Sequence, residues 1–237
     1  MIWFYLLVFL HGLILMNNLD ILYEDNHLII VIKPHNVLSQ GDATGDIDLL
    51  TQIKDYIKKE KNKPGNVYLG LVHRLDRPTR GIMVYAKTSK AAKRLSEAIK
   101  KHEFKKEYIL VCHGKVDSSG TMQDYLQKVD KKAIINKKDG KLAQLSYQLI
   151  AYNKIQDLSL VKVSLKTGRY NQIRVQFASR GYPLYGDNKY GNKDNEQLCL
   201  TANILEFYHP VTKELLHFTC DIDYSLKGYS FFKEVSK

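Results

Sequence analysis

Two short segments hold the residue types that could do chemistry. His73-Arg74-Leu75-Asp76-Arg77 sets two arginines around one acid. A lone carboxylate can serve as a base or a nucleophile. The same cluster taken alone reads better as surface ion pairs, which contribute little. The second segment is Gly168-Arg169-Tyr170-Asn171-Gln172-Ile173-Arg174, where two arginines flank the expected start of a helix. Backbone N–H groups there favour an anion, though a basic helix start can equally be a perch for phosphate or sulfate. A metal-dependent nuclease would want acids and histidines clustered near Asp76, and the sequence shows no such cluster there.

The elements that must position these segments read as strands more than helices. Residues 21–23 and 28–32 are apolar strands around the turn Glu24-Asp25-Asn26. Residues 48–60 carry Leu49, Leu50, Ile53 and Ile57 at helical spacing, and Pro64-Gly65 stops them. Tyr68 to Val72 leads into the first charged segment, and residues 81–86 form the next strand. Ser89 is placed to cap a helix burying Ala92, Leu95 and Ile99. Strands follow at 108–112, 142–151 and 158–165, with clear alternation in Ala143, Leu145, Tyr147 and Leu149. Residues 171–179 form a short helix with Ile173 and Phe177 inward, ended by Gly181 and Pro183. Residues 199–207 and 215–222 close the chain as strands. Strands not regularly interleaved with long helices predict an α+β fold with a mixed, largely antiparallel central sheet and flanking short helices.

The chain has 237 residues, 44% of them apolar, enough for one domain with a full core. Its net charge of +11 favours polyanionic partners. Basic residues cluster at 58–63, 100–106 and 128–141. Three widely spaced cysteines, Cys112, Cys199 and Cys220, make neither a disulfide framework nor a zinc pattern and fit a reducing cytoplasm. Met1 to Met16 is nearly all apolar, short for a membrane span and without the charged start of a signal peptide. Met16 is therefore expected to be the true start, with residues 17–237 as the working domain. A weak membrane anchor is the alternative.

Together the two charged segments resemble the signature motifs of the RluA-type pseudouridine synthase family. The first is His73-Arg74-Leu75-Asp76-Arg77-Pro78-Thr79-Arg80-Gly81, followed by an apolar strand and Ala86-Lys87. The second is Gly168-Arg169-Tyr170-Asn171-Gln172-Ile173-Arg174, followed by Gly181-Tyr182-Pro183-Leu184-Tyr185-Gly186-Asp187 and Tyr190-Gly191. Ile21 to Asp25 with Lys33-Pro34 is similar to the family's opening, Lys106-Glu107-Tyr108 to its tyrosine strand, and Leu205-Glu206-Phe207 with His209-Pro210 to its closing hairpin. The likeness runs in order from about residue 20 to 222. Tyr170-Asn171 stands where the family commonly has Thr-His, Gln176-Phe177 where it has His-Leu, and Leu200-Thr201-Ala202 where it has Leu-His-Ala. Pro78 and Arg80 also depart from its usual pattern. An RNA-binding S4 domain, common at the N-terminus of relatives, is expected to be missing.

The resemblance implies a pseudouridine synthase fold with a central active-site cleft and an enzyme that isomerises uridine to pseudouridine in RNA. The N1–C1′ bond breaks, the uracil turns and C5 joins C1′. Nothing is oxidised, so no cofactor is expected. Asp76 is implied as the catalytic carboxylate, ion-paired with Arg174, and Tyr108 as the active-site tyrosine that stacks on the base and helps remove the C5 proton. Arg74, Arg77, Arg169, Gln172 and Ile173 are implied to bind substrate, with Arg77 placed nearer the RNA than Arg74 and Ile173 packed beside the base. Gly186, Asp187, Tyr190 and Gly191 are expected only to shape a turn. The expected partner is ribosomal RNA of the large subunit, or tRNA. No metal, obligate protein partner or membrane is expected. The alternative is a catalytically weak RNA-binding or ribosome-assembly factor with the same fold.

Overall fold

The computed structural model describes residues 19–62, 64–191 and 194–234. The apolar leader and the expected start at Met16 lie outside them.

β1 (Asp20–Glu24) and β2 (Leu28–Lys33) pair antiparallel around Asp25, whose Oδ1 accepts from the backbone N–H groups of His27 and Leu28 at 2.7 Å each. β2 is an unbroken apolar run because both its faces are covered. Ile29 and Val31 meet α1 (Leu49–Glu60) through Leu49, Ile53 and Ile57, while Leu28 and Ile30 meet α2 (Ser89–Lys100) through Ala91 and Leu95. Asp48 caps α1 by accepting from Thr51 N–H at 3.0 Å. The cap of α2 is Thr88 rather than Ser89: its hydroxyl accepts from Ala91 N–H at 3.1 Å. The inward face of α2 accordingly centres on Ala91 and Leu95, with Ala92 and Ile99 half-buried.

The remaining elements are β3 (Gly70–Leu71), β4 (Arg80–Ala86), β5 (Lys105–His113), β6 (Ser119–Val129), β7 (Lys132–Ile135), β8 (Lys141–Asn153), β9 (Leu158–Leu165), α3 (Gln172–Ala178), β10 (Leu200–Tyr208), β11 (Leu215–Thr219) and α4 (Lys227–Ser230). The strands form one sheet in the order β1-β2-β4-β10-β5-β9-β8-β6-β7, with β3 beside β4 and β11 beside β10. Pairing is antiparallel except for β4 with β10, which run parallel through Arg80–Thr201 and Gly81–Ala202. Gly81 sits at φ +137°, and a Cβ there would lie 2.3 Å from the Ala202 carbonyl oxygen. Only glycine permits this join, and the join anchors the loop that carries Asp76 against the middle of the sheet. The expected α+β class with a largely antiparallel sheet is what the structure shows.

The β6–β7 hairpin was not legible in sequence, where residues 128–141 stood out only as a basic cluster. Burial alternates along β6 from Ser119 to Leu126, but the inward positions are Gly120, Met122, Asp124 and Leu126, so the sequence carries no apolar alternation. Among the described residues, no helix is long and apolar enough to cross a membrane. Cys112, Cys199 and Cys220 are free and buried.

Candidate active site

Residues 72–79 join β3 to β4 as a loop held from behind at three points. The Leu75 N–H donates to Ser39 Oγ at 3.1 Å, and the Ser39 hydroxyl donates to Leu75 O at 2.9 Å. His73 Nε2 accepts from Val84 N–H at 3.1 Å, so that nitrogen carries no proton. Burial holds the His73 pKa down to about 3, with Lys106 adding a smaller push the same way. The third support is Lys33, which is fully buried and donates to the carbonyls of Pro34, Val37 and Arg77 at 2.9, 2.7 and 2.9 Å. Desolvation pushes its pKa down to about 7, while the negative charge of Asp76 pulls the other way. A Thr79 N–H to Asp76 O bond of 3.0 Å closes the turn and presents the Asp76 side chain, 21% exposed, to a cleft.

Arg174 rises from α3 to meet it. Its Nη1 donates to Asp76 Oδ2 at 3.3 Å. The expected ion pair is there, but it is not Arg174's principal bond. Nε and Nη2 form a fork on Asp187, at 2.8 and 2.6 Å, with the Asp187 side chain fully buried and that of Arg174 6% exposed. Burial works against both charges and is overcome. The Asp187 fork, with help from Asp76, holds the Arg174 pKa above its ordinary value. Arg174 and the N–H groups of Lys189 and Tyr190 hold Asp187 below the usual carboxylate range. Asp187 thus shapes the turn, as expected, and also fixes the arginine.

Asn171 supplies the second donor on Asp76. It caps α3 in the left-handed region, at φ 50° and ψ 27°, and is buried. Its Nδ2 donates to Asp76 Oδ2. Its Oδ1 accepts from the Tyr190 hydroxyl at 3.0 Å, and that hydroxyl accepts from the Ala133 N–H at 2.6 Å. The Tyr190 ring also lies under the Arg174 guanidinium, 5.4 Å from centroid to Cζ. Both donors to Asp76 fall on Oδ2, and Oδ1 has no partner among the described residues.

The cleft is a cavity of about 710 Å³, in the range of small-molecule sites. Asp76, Tyr108, Arg174, Ile173, Arg74, Arg169 and Gln172 all line it. Tyr108 and Ile173 form its apolar wall, and both are nearly buried. Burial and, second, the charge of Asp76 raise the Tyr108 pKa, so the phenol keeps its proton. Lys106 lies two residues before Tyr108 on β5 and so on the same face. It lines the cavity, and its Nζ has no hydrogen-bond or ion-pair partner among the described residues. Burial lowers its pKa.

Two expectations change at this point. Arg77 does not line the cavity: its Nε donates to Asn36 O at 3.1 Å and its Nη1 pairs with Asp46 at 2.7 Å. Exposed Arg74 lines it instead. Gln172 is at the wall, but its amide is committed to the loop. Its Oε1 accepts from Thr167 Oγ1 and Arg169 N, at 2.9 and 3.0 Å, and its Nε2 donates to Gln144 O at 3.1 Å. Arg169 lies at the rim, its Nε bonded to Leu142 O at 2.8 Å. Among the described residues, no group of three or more His, Cys, Asp or Glu could hold a metal ion.

A family model described as RNA pseudouridylate synthase matches residues 27–179, a span that takes in Asp76, Tyr108 and Arg174. The chain belongs to the RNA pseudouridine synthase family. It is therefore an isomerase of the class that acts on RNA. It is 32% identical over 233 residues to ribosomal large subunit pseudouridine synthase C of Buchnera aphidicola subsp. Schizaphis graminum, covering 91% of this chain and 70% of that one. It is 31% identical to ribosomal large subunit pseudouridine synthase D of Escherichia coli K12, covering 82% of this chain and 64% of that one. Among solved structures, human RNA pseudouridylate synthase domain containing 4 shares the fold, with a TM-score of 0.78, 20% identity and coverage of 95% and 98% of the two chains. Sequence reasoning about this pseudouridine synthase missed Asn171 and Tyr190 as members of the site. The signal was there: the first was seen only as a departure from the family's usual residue, the second only as part of a turn.

Proposed function

We propose that this chain converts specific uridines of large-subunit ribosomal RNA to pseudouridine, with Asp76 as the carboxylate that acts on the ribose. The relatives named for the large ribosomal subunit support the substrate class, with tRNA second. The observation that carries the role of Asp76 is its asymmetry. Oδ2 is fixed by Asn171 and Arg174, while Oδ1 is unpartnered at the wall of a cavity large enough for a nucleotide. A free carboxylate oxygen held at a set angle can attack C1′ or take the C2′ proton. Either route breaks the N1–C1′ bond, lets the uracil turn and joins C5 to C1′, as the Asp76–C1′ bond breaks again in the first route or Asp76 returns the proton to C2′ in the second. The C5 proton then leaves, and N1 gains one.

Tyr108 and Ile173 would sandwich the flipped base. Because Tyr108 stays a phenol, its ring and hydroxyl are what it offers, and a phenolate base is disfavoured. A stacked uridine must be extruded to reach this cleft, at about a few kcal/mol. Arg74, Arg169 and Lys106 line the cavity as cations suited to the flanking phosphates. The free buried thiols are consistent with work in a reducing cytoplasm.

The test is a carbodiimide map of pseudouridine in total RNA from cells with the protein, without it, and with only the Asp76→Ala form. The enzyme reading expects sites lost in the second and not restored in the third. Sites restored by Asp76→Ala would refute the role of Asp76. A cellular effect of deleting the protein that Asp76→Ala rescues, with no site lost, would mark it instead as a binding or assembly factor.

A further inference from the structure

We propose that Asn171 is a positioning residue for Asp76, and that Tyr190 and the β7 backbone fix which end of its amide faces the carboxylate. The inference rests on the catalytic role of Asp76 proposed above.

Hydrogen-bond direction carries the argument. The Ala133 N–H can only donate, so the Tyr190 oxygen is its acceptor, at 2.6 Å. The Tyr190 proton is then directed to the other neighbour, Asn171 Oδ1, at 3.0 Å. With its carbonyl end engaged there, the Asn171 amide turns its NH2 end to Asp76 Oδ2. A flipped amide would set its oxygen against the carboxylate oxygen and its NH2 against the Tyr190 hydroxyl proton. The chain therefore runs in one sense only, from the last strand of the sheet to Asp76.

Arg174 cannot do this work alone. Two of its donors are spent on Asp187, and the third reaches Asp76 Oδ2 at 3.3 Å. One long bond leaves the carboxylate free to rotate about its last side-chain torsion, which is soft. A second donor on the same oxygen removes that freedom and turns Oδ1 to the cleft. Asn171 also has a backbone role, since its left-handed conformation suits Asn, His and Gly better than most residues. That competing role decides the design of the test.

The experiment is tritium release from total RNA labelled with [5-³H]uridine in cells lacking the protein, measured with enzyme in excess. It reads a maximal single-turnover rate and a half-saturating enzyme concentration. Asn171→Gly keeps the backbone conformation and deletes the amide. The expected result is a maximal rate lowered on the order of 10- to 100-fold, with half-saturation within about twofold and the thermal midpoint nearly unchanged. Asn171→His, which can keep the conformation and donate a ring N–H, should recover part of the rate. Tyr190→Phe keeps the ring under Arg174 and removes only the hydroxyl. It should slow the wild-type enzyme several-fold but have no further effect in the Asn171→Gly background. A fully active Asn171→Gly would show that the backbone conformation alone matters and overturn the proposal, as would independent, multiplicative effects of the two changes. Asp76→Ala is the reference: if it still releases tritium, the reading of Asp76 fails and this inference with it. If Asp76→Ala is inert and Asn171→Gly is as fast as wild type, only the inference fails.

Discussion

Asp187→Asn isolates the fork that holds Arg174. The guanidinium makes three bonds: 2.8 and 2.6 Å to Asp187, and 3.3 Å to Asp76. Both members of the fork are buried, so removing its negative charge leaves a buried cation poorly compensated, a change that costs about 3–5 kcal/mol when nothing replaces the partner. Two features reduce the cost here. The asparagine oxygen can still accept from one guanidinium N–H and from the N–H groups of Lys189 and Tyr190, and Asp76 remains as a weaker counter-charge. The new amide NH2, however, meets the second guanidinium N–H donor to donor. The net expectation is a loss of about 2–3 kcal/mol in urea unfolding with an unchanged slope, or roughly 5–10 °C in midpoint for a domain of this size. Arg174→Met should also destabilise, because it leaves Asp187 buried and unpaired. The double variant should lose less than the two single losses together, by at least about 1.5 kcal/mol. If Asp187→Asn lies within about 0.5 kcal/mol of wild type, or if the two losses simply add, the fork is not the structural anchor described here.

Lys106→Met should leave urea stability unchanged or slightly higher, since a half-buried cation without a hydrogen-bond or ion-pair partner among the described residues is lost. It should weaken RNA binding and lower the slope of log affinity against log salt by about one; an unchanged slope would remove Lys106 from the RNA interface. His73 has a pKa of about 3 folded, against 6.5 for the free side chain. The unfolded chain binds a proton between those values and the folded one does not, so stability should fall as pH drops below 6.5, by about 2 kcal/mol at pH 5 from this group. His73→Gln should flatten that part of the pH–stability curve, and a parallel curve would contradict the assignment. Gly81→Ala puts a Cβ 2.3 Å from the Ala202 carbonyl at φ +137°, and should cost several kcal/mol, seen as a sharp loss of folded protein in the soluble fraction.

The parts of the site that could be read from sequence are those written contiguously. His73 to Asp76 and Gly168 to Arg174 each sit on one loop or one helix start, so spacing alone exposes them. The core of β2 and the inward face of α1 were legible too, the first as an unbroken apolar run and the second because its burial repeats at the helical period. What could not be read depends on where separate segments meet. Arg77 was placed nearer the RNA than Arg74, and nothing in the sequence signalled that Asp46 and Asn36 would engage it. Gln172 looked like a substrate ligand until Thr167 and Gln144 took its amide. Asp187 and Tyr190 looked like turn residues because, locally, that is what they are.

The β6–β7 hairpin shows the physical reason most directly. Its strands lie at the sheet's edge and are only shallowly buried, so inward positions tolerate Gly120 and Asp124 and the sequence shows no apolar alternation, and yet the Ala133 N–H reaches the Tyr190 hydroxyl. Asp76 then sits at the end of a chain whose members come from β7, the turn after α3, the first residue before α3 and the β3–β4 loop. Each link is ordinary in its own segment. A carboxylate with one oxygen fixed and the other free exists only when all four are assembled. The reactivity proposed for Asp76 is therefore a property of the folded sheet, and substitutions at Tyr190 or Asn171, outside the acid's own loop, should reach it as surely as changes within that loop.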